Sequence, residues 1–253
     1  MIKRIIPLLL YKDGRLVKGV KYDNFINVGE PESAIKIYNN QLADELMLIN
    51  ISENKKETDI FFNKVVKNCA INCFVPLTTG GKISTLEQIE KLLMSGSDKV
   101  LITSKVAEDI KFLNLASKIF GSQCLVVGVE YKYIKDNHYI TFENSKKKTN
   151  FVVDEYLKKI EDNGAGEIAL FDVDNDGTKK GPSIKNLQRW SNIVNLPIIY
   201  SGGIGNFKHI LDIFKETKIN AVGCGSLFNF GDNTPIRARS YLKNNSFPVR
   251  NAR

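Results

Sequence analysis

Short apolar runs alternate along the whole chain with longer stretches in which apolar positions recur every three or four residues. The short runs are rich in Ile, Leu and Val, which is typical of buried parallel strands, and the longer stretches are typical of amphipathic helices. We predict eight strands, at Arg4–Leu10, Glu45–Asn50, Val75–Thr78, Lys99–Thr103, Leu125–Glu130, Glu167–Phe171, Pro197–Ser201 and Ala221–Cys224. The helices predicted between them are Glu32–Gln41, Asp59–Asn68, Thr85–Met94, Ile110–Phe120, Val152–Asn163, Ile184–Ile193 and Phe207–Phe214.

Eight strands alternating with helices over 253 residues predict an α/β fold, a single (β/α)8 TIM barrel that spans residues 1–253 as one domain. An internal repeat indicates that this barrel consists of two similar halves. The sequence Ala-Asp-Glu-Leu at 43–46 returns as Ala-Gly-Glu-Ile at 165–168, and the Gly-Gly pair at 80–81 returns at 202–203, each 122 positions later. The predicted half-barrels are therefore approximately residues 1–122 and 123–253.

Composition and charge exclude several classes of function. Hydrophobic residues make up 43% of the chain, and no apolar run approaches the roughly 20 residues that span a bilayer. The start of the chain lacks the three-part form of a signal peptide, so we expect a cytoplasmic protein with reduced cysteines and no membrane partner. The net charge is +8, but the lysines are scattered, and the one dense cluster, Lys146 to Lys148, is predicted to lie in a polar loop without interleaved aromatic residues. We therefore expect anionic small molecules as ligands and no nucleic acid.

Small residues follow four of the predicted strands at the end where barrel enzymes bind their substrates. Glycine lets backbone N–H groups approach an anion closely, and serine or threonine adds a hydroxyl donor. Two pairs of such turns, related by the repeat, predict two phosphate sites on opposite sides of one rim. The residues predicted to bind phosphate or substrate are Gly80, Gly81, Thr103, Ser104, Gly177, Ser201, Gly202, Gly203, Gly225 and Ser226.

An acidic turn, Asp-Asn-Asp-Gly-Thr at 174–178, follows the sixth predicted strand. It lacks the further ligands and the final glutamate of a calcium-binding loop, so we predict acid/base or substrate-binding work for it rather than metal binding. The four cysteines, Cys69, Cys73, Cys124 and Cys224, have no zinc-binding spacing. We accordingly expect no metal and no cofactor.

Four charged residues begin predicted strands and so belong to the opposite end of the barrel, its floor. Two are positive and two are negative, and a ring of ion pairs among them would suit a gate. They are Arg4, Glu45, Lys99 and Glu167.

Several ordered motifs together resemble the cyclase subunit of imidazole glycerol phosphate synthase, from histidine biosynthesis. The resemblance runs from Lys3 to Arg250. Its landmarks are Lys-Asp-Gly-Arg-Leu-Val-Lys-Gly at 12–19, Ala-Asp-Glu-Leu at 43–46, Phe-Gly-Ser-Gln at 120–123, Gly-Ala-Gly-Glu-Ile at 164–168, the acidic turn and Ser-Gly-Gly at 201–203.

This resemblance implies a partner glutaminase that docks on the barrel floor and releases ammonia. The ammonia would pass the four charged floor residues as a gate and reach the rim, where the family, a lyase, cleaves and cyclises a bis-phosphorylated ribulosyl intermediate. The family's substrate-binding lysine after the first strand matches Lys18, and its acid after the sixth strand matches Asp176. Its two catalytic aspartates fall at Leu10 and Glu130, so the first carboxylate is missing and the second is displaced by about one methylene.

Other departures from the family pattern are expected at the same rim, whereas the floor matches. Asn50 replaces an aspartate, Lys82 a phosphate-site glycine and Thr103 an asparagine, and Phe171 with Asp172 replaces a Thr-Ser pair. A paralogous group acts with a glutaminase and a separate amidotransferase to turn an acetamido sugar of surface glycans into an acetamidino sugar. The first strand resembles that group more closely.

Three hypotheses follow. The first is an ammonia-channelling barrel for acetamidino-sugar formation, acting on a phosphorylated or nucleotide-linked ligand. The second is a genuine cyclase subunit in which Glu130, Asp176 and Lys18 suffice for catalysis. The third is a barrel without chemistry of its own, which binds a phosphorylated ligand or activates a glutaminase.

Overall fold

The computed structural model describes residues 3–249, so both ends of the predicted domain, Arg250 included, lie outside the described residues. The strands are β1 (Arg4–Lys12), β2 (Arg15–Val20), β3 (Asp23–Gly29), β4 (Leu46–Asn50), β5 (Leu77–Gly80), β6 (Lys99–Ile102), β7 (Leu125–Ile134), β8 (Asn137–Phe142), β9 (Lys147–Val152), β10 (Glu167–Asp172), β11 (Ile198–Ser201) and β12 (Ala221–Cys224).

Eight of these strands form a closed parallel barrel in the order β1, β4, β5, β6, β7, β10, β11, β12. Closure is direct, because β10 pairs in parallel with both β7 and β11, and β12 pairs with β1 from Ala221 opposite Arg4. The predicted (β/α)8 barrel is confirmed. The boundary between its half-barrels near residues 122 and 123 stays a prediction of the sequence repeat.

Amphipathic helices cover the outside of the barrel. In Phe207–Glu216, for example, the buried positions Ile210, Leu211, Ile213 and Phe214 form one stripe, and Asn206 caps the first turn by accepting the N–H of His209. The helices are α1 (Pro31–Asn40), α2 (Lys55–Ile60), α3 (Val66–Ile71), α4 (Leu86–Met94), α5 (Ser104–Glu108), α6 (Ile110–Phe120), α7 (Val153–Asp162), α8 (Ile184–Trp190), α9 (Phe207–Glu216), α10 (Ser226–Asn229) and α11 (Pro235–Asn244). A π-helical turn, Phe61–Val65, joins α2 to α3, and a 3-10 turn, Ser122–Cys124, precedes β7.

Successive strand residues point alternately into the barrel and out toward the helices, which creates two cores. In β1, Ile6 and Leu8 belong to the interior cluster, whereas Ile5, Leu9 and Tyr11 pack under the helices. The interior cluster consists of Ile6, Leu8, Met47, Ile49, Leu101, Val126, Ala169, Phe171, Ile199 and Ala221. The barrel axis is therefore apolar between its two ends.

Two antiparallel hairpins extend the barrel and were predicted as loops. The first hairpin, β2–β3, continues β1, and the second hairpin, β8–β9, continues β7, the strand at the corresponding place in the other half. The lysine cluster at 146–148 accordingly lies on the second hairpin, where the ammonium group of Lys148 sits 3.8 Å from the ring centre of Tyr139. The prediction that this cluster lies in a loop was wrong, because Lys147 and Lys148 belong to β9, which pairs with β8 and so brings Tyr139 close across the strands.

Element boundaries differ from the prediction in smaller ways. Strand β5 begins two residues later than expected, at Leu77, and one long interrupted helix covers Lys55–Ile71 where Asp59–Asn68 was predicted. The helices α5, α10 and α11 were not predicted; the first two have only 5 and 4 residues, too few to show a helical period. Within residues 3–249, no helix is long and apolar enough to cross a membrane.

Candidate active site

The carboxyl ends of the barrel strands surround a cavity, here called the rim cavity. Leu10 and Phe171 line it from strand ends, Tyr22 and Phe25 from the first hairpin, and Asn144 from the second hairpin. The sequence did not predict the last three, because it predicts neither hairpin. The rim cavity is therefore largely apolar and covered by the chain's own hairpins.

Leu10 ends the inward-facing row of β1 and lines the rim cavity at the position where the sequence resemblance expects an acid. A leucine side chain cannot exchange a proton, so any acid/base step must use other groups. Three carboxylates line the same cavity, those of Glu130, Asp172 and Asp176. The rim cavity therefore still contains carboxylates that can act as acid or base, although the first strand supplies none.

Glu130 is the buried carboxylate at the carboxyl end of the β7 core. Burial raises its pKa from 4.5 to about 7, and the Ser145 N–H, which donates to its Oε2 at 2.9 Å, together with the charges of Lys82 and Lys132, only partly offsets this rise. A carboxyl group with this pKa is protonated in part near neutral pH and can both give and accept a proton.

Lys18 and Asp176 join the first hairpin to the acidic turn after β10. The buried ammonium group of Lys18 donates to both carboxylate oxygens of Asp176 at 2.8 Å. The backbone N–H of Lys21 also donates to the Asp176 carbonyl at 2.9 Å. Two of the three predicted catalytic residues are therefore in direct contact, and Glu130 lines the same cavity as Asp176.

Asp172 forms a buried network beneath the acidic turn. Its carboxylate accepts the Tyr200 hydroxyl at 3.3 Å and both the backbone N–H and the side-chain amide of Asn175, at 3.2 and 2.8 Å. Burial, reinforced by the Asp172 charge, raises the pKa of Tyr200 well above its ordinary value, so the hydroxyl stays protonated as a donor. This network fixes the turn that carries Asp176. The sequence marked Asp172 only as a departure from the family pattern.

One of the two predicted phosphate sites, here called the Ser226 cradle, consists of Gly202, Gly203, Gly225 and Ser226. These residues line a common small cavity. Gly202 has a φ of +142°, and a Cβ there would lie 2.5 Å from the Cβ of Asp172, so only glycine fits this turn. The same cavity is also lined by Lys18, Gly177 and Ser201.

The other predicted phosphate site, here called the Ser104 cradle and made of Gly80, Gly81, Thr103 and Ser104, is in contact with the second hairpin. The Ser104 hydroxyl accepts the backbone N–H of Glu143, in the turn of the second hairpin, at 3.2 Å. The Gly81 N–H donates to the Leu101 carbonyl at 3.3 Å. The two predicted sites therefore differ in the structure, although the repeat made them equivalent.

The four charged floor residues, here called the floor ring, form a closed set of ion pairs. Arg4 binds Glu45 at 2.6 Å and also Glu167, and Lys99 binds Glu167 at 2.7 Å and Glu45 at 3.2 Å. The Thr78 hydroxyl donates to Glu45 at 2.7 Å. Glu45 is only 1% exposed, so each carboxylate depends on both cations.

The two carboxylates of the floor ring stabilise the charged form of Arg4. Burial alone would lower the pKa of the Arg4 guanidinium, but its hydrogen bonds and charge interactions with Glu167 and Glu45 raise that pKa above its ordinary value. The Arg4 guanidinium therefore keeps its positive charge in the ring.

Several exposed apolar side chains lie at the floor end of the barrel. Five of them, all in the first half of the chain, lie at the end of a helix or just after it. From there the chain returns to the amino end of the next barrel strand, which is the floor. We call them the floor patch: Leu42, Ile71, Phe74, Met94 and Ile119. Phe74 is 82% exposed and Met94 is 84% exposed, which is unusual for large apolar residues.

The comparisons with known proteins agree with this architecture. The family model described as "Histidine biosynthesis protein" matches residues 4–234. The chain belongs to this family. Among its relatives, "Imidazole glycerol phosphate synthase subunit HisF" of Hydrogenobaculum sp. (strain Y04AAS1) is 38% identical over 251 residues, which is 99% of both chains. The proteins of the same name from Campylobacter concisus and Staphylococcus saprophyticus are 38% and 36% identical, over at least 98% of each chain.

Membership of the histidine biosynthesis family fits the barrel and the predicted histidine-pathway resemblance. Each of these relatives is named as a subunit, that is, as part of a larger enzyme. Among the described residues, no group of three or more His, Cys, Asp or Glu side chains is placed to hold a metal ion. The four cysteines are free thiols, and three of them, Cys69, Cys124 and Cys224, are buried.

Proposed function

We propose that this chain is the synthase-type barrel of a glutamine-dependent complex, which takes ammonia from a partner glutaminase and conducts it to a phosphorylated ligand at the rim. The observation that carries the proposal is the floor ring. Among residues 3–249, the four charges at the amino mouth of the barrel pair with one another and with Thr78, and burying so many charges is costly.

The barrel interior supports passage of neutral ammonia. Beyond the floor ring the axis is lined by apolar side chains, among them Ile6, Met47 and Ala169, up to Phe171 at the exit. An ammonium ion loses its hydration in such surroundings, whereas neutral ammonia carries no charge to desolvate. The polar ring followed by an apolar path would therefore admit ammonia in its neutral form.

The partner is proposed from the floor patch and from the relatives' names. The exposed apolar side chains surround the end at which ammonia would enter, and the relatives are named as synthase subunits. A glutaminase that covers the floor patch would bury these side chains and release ammonia next to the floor ring without loss to solvent. We propose that the complex works in the cytoplasm.

Replacing Phe74 by lysine should weaken glutaminase binding at least about tenfold, because a charge would enter the centre of an apolar interface. Isothermal titration of the barrel with the partner glutaminase measures this affinity. Ile26→Lys, at a 55% exposed position of the first hairpin on the opposite end, is the matched control and should bind normally. Equal binding of the two variants would place the partner elsewhere.

For the acceptor of ammonia, we propose an acetamido sugar of surface glycans that becomes an acetamidino sugar, with a separate amidotransferase in the complex. Support comes from the rim: Leu10 stands where the cyclase resemblance expects an acid, Glu130 is longer than the expected aspartate, and the cavity is largely apolar. The proposed ligand carries a phosphate, free or nucleotide-linked, in the Ser226 cradle.

The second candidate is the imidazole glycerol phosphate synthase reaction itself, in histidine biosynthesis. The relatives favour it more directly than the acetamidino proposal, since they carry that name at 36–38% identity over nearly the full chain. In this case Glu130 with its raised pKa, Asp176 and Lys18 would perform the chemistry. Turnover of the ribulosyl intermediate with free ammonium salts separates the two candidates.

A further inference from the structure

The turns of both hairpins place residues other than glycine in the left-handed backbone region, which such residues rarely adopt. In the first hairpin, Lys21 and Tyr22 have φ angles of 53° and 64°. In the second hairpin, the consecutive residues Glu143, Asn144 and Ser145 have φ angles of 55°, 56° and 64°. Strain of this kind persists only where surrounding contacts impose it, and it is concentrated at sites that hold ligands or carry out chemistry.

Contacts with the barrel hold both turns in these conformations. The backbone N–H of Lys21 donates to the Asp176 carbonyl at 2.9 Å. The backbone N–H of Ser145 donates to the Glu130 carboxylate at 2.9 Å, and a second N–H of the same turn donates to the Ser104 hydroxyl at 3.2 Å. The two turns are therefore anchored to Asp176 and Glu130, which both line the rim cavity.

Each turn contributes one polar side chain to the lining of the rim cavity, Tyr22 from the first hairpin and Asn144 from the second. Within residues 3–249, neither the Tyr22 hydroxyl nor the Asn144 side-chain amide forms a hydrogen bond with another residue. Burial raises the pKa of Tyr22 well above its ordinary value, and the charges of Glu130, Asp176 and Asp172 raise it further. The hydroxyl therefore stays protonated and can donate to a ligand.

The rest of the lining disfavours an anionic ligand. Apolar side chains such as Leu10 and Phe171 make up most of it, and its acidic groups are the three carboxylates just named. Among the described residues, no lysine or arginine lines this cavity. Lys82 and Lys132 act on Glu130 by their charge but do not line it. An anion would therefore lose its hydration here without a cationic partner.

A cationic ligand would gain little, because the carboxylates already have partners. Asp176 is paired with the Lys18 ammonium group, and Asp172 accepts the side-chain amide of Asn175 at 2.8 Å. Glu130 accepts the backbone N–H from the second hairpin, and its pKa of about 7 leaves it partly protonated near neutral pH. The groups that remain for a ligand are mainly uncharged.

Four uncharged polar side chains line the rim cavity. Thr103 and Ser201 supply hydroxyl groups from the strand ends, beside Tyr22 and Asn144 from the hairpins. The side-chain amide of asparagine both donates and accepts hydrogen bonds, and the tyrosine hydroxyl can do the same. The complement of such a pair is a neutral group that also carries a donor and an acceptor, as an amide does.

We propose that Tyr22 and Asn144 bind a neutral amide group of the ligand from the two hairpins, and that they thereby select a ligand whose buried portion is uncharged. This inference rests on the proposed function, because it describes how the same cavity recognises the acceptor of ammonia. The acetamido group proposed for that acceptor is such an amide.

Benzamide, benzoate and benzamidine test the inference, because they have nearly the same shape and are neutral, anionic and cationic. We expect benzamide to bind the purified barrel at millimolar concentration at about pH 6, where Glu130, with its pKa of about 7, is mostly protonated. Benzoate and benzamidine should each bind at least about fivefold more weakly. Titrations followed by amide NMR spectra measure the three affinities, and the signals of both hairpin turns should shift with benzamide.

Tyr22→Phe and Asn144→Gly each remove one polar group without new strain, because phenylalanine keeps the ring and glycine adopts a positive φ freely. Each should weaken benzamide binding about fivefold. The matched controls are Tyr133→Phe, at a ring that is 58% exposed outside the cavity, and Asn24→Gly, at an exposed position of the first hairpin with a φ of 51°. Both controls should stay within about twofold.

Circular dichroism confirms that each variant folds. If Asn144→Gly unfolds, Asn144→Asp decides, because aspartate also tolerates the left-handed region but lacks the amide donor, and it should show the same loss. Unchanged benzamide binding in the Tyr22 and Asn144 variants, or equal losses in these variants and the controls, would overturn the inference.

The probes themselves give further outcomes that would contradict it: benzoate or benzamidine bound as tightly as benzamide, or no benzamide binding in the millimolar range. These titrations use neither glutaminase nor ammonia. A failure here therefore leaves ammonia conduction intact, and a failure of glutaminase docking leaves this inference intact.

Discussion

Replacing Glu45 by alanine should lower the free energy of unfolding by about 3–5 kcal/mol, because it leaves buried charges without their partner. Glu45 is 1% exposed and accepts hydrogen bonds from Arg4, Lys99 and Thr78. In the variant the two cations would face only Glu167, and the Thr78 hydroxyl would lose its acceptor. Urea denaturation followed by circular dichroism measures the change.

The control for Glu45 is Asp212→Ala on α9. Asp212 also forms an ion pair, with Lys208 at 2.6 Å, but on the helix surface, where such pairs contribute little. This variant should change the free energy of unfolding by less than about 0.5 kcal/mol. A cost below about 1 kcal/mol for Glu45→Ala would show that the floor ring is not a coupled buried network.

Glu130→Gln should stabilise the protein at pH 8 by up to about 3 kcal/mol and have little effect at pH 4.5, since a folded-state pKa of about 7 penalises the ionised carboxylate. The folded state binds the proton more tightly than the unfolded chain, in which the ordinary value is 4.5. The stability that Glu130 contributes is therefore complete below pH 4.5 and is lost as the pH rises through about 7. Glutamine keeps an oxygen that can accept the Ser145 N–H.

Denaturation of both proteins at several pH values tests this dependence. The pH effects of all other groups cancel in the difference between native and variant. Glu90→Gln, at an exposed position of α4, is the control and should give a difference that does not change with pH. A constant difference for Glu130→Gln as well would contradict the raised pKa and, with it, a role for Glu130 in proton transfer near neutral pH.

The barrel and the floor ring could be predicted because both follow from local pattern. Runs such as Leu46–Asn50 are buried along their whole length, and the charges of Arg4 and Lys99 stand directly at strand starts. Strand alternation then places Arg4 and Leu10 on the inner face at opposite ends of β1. No long-range information is needed for either conclusion.

The rim could be predicted only in part, because its form depends on contacts between distant segments. The turn of the first hairpin uses Lys21 and Tyr22, both with positive φ, in place of the Asn-Gly or Asp-Gly pair that signals such a turn. Strand β3 is also mostly exposed and shows no apolar alternation. The hairpin, and with it the position of Tyr22 over the rim cavity, was therefore not visible in the sequence.

The difference between the Ser104 cradle and the Ser226 cradle could not be predicted for the same reason. The repeat made Ser104 and Ser226 equivalent, and nothing local distinguishes them. The difference arises from the Glu143 N–H, 39 positions from Ser104 along the chain. Likewise, the structural role of Asp172 depends on its hydrogen bond with Tyr200, which is 28 positions away along the chain.

We propose that this barrel keeps the floor for ammonia but has lost the cyclase chemistry of the rim. The most direct measurement is turnover of the bis-phosphorylated ribulosyl intermediate by the purified barrel with saturating ammonium salt, beside the Hydrogenobaculum relative under the same conditions. Loss of one acid/base group and displacement of another predict a rate at least about 100-fold below that of the relative. A rate within tenfold of the relative would contradict the claim and establish this chain as a cyclase subunit.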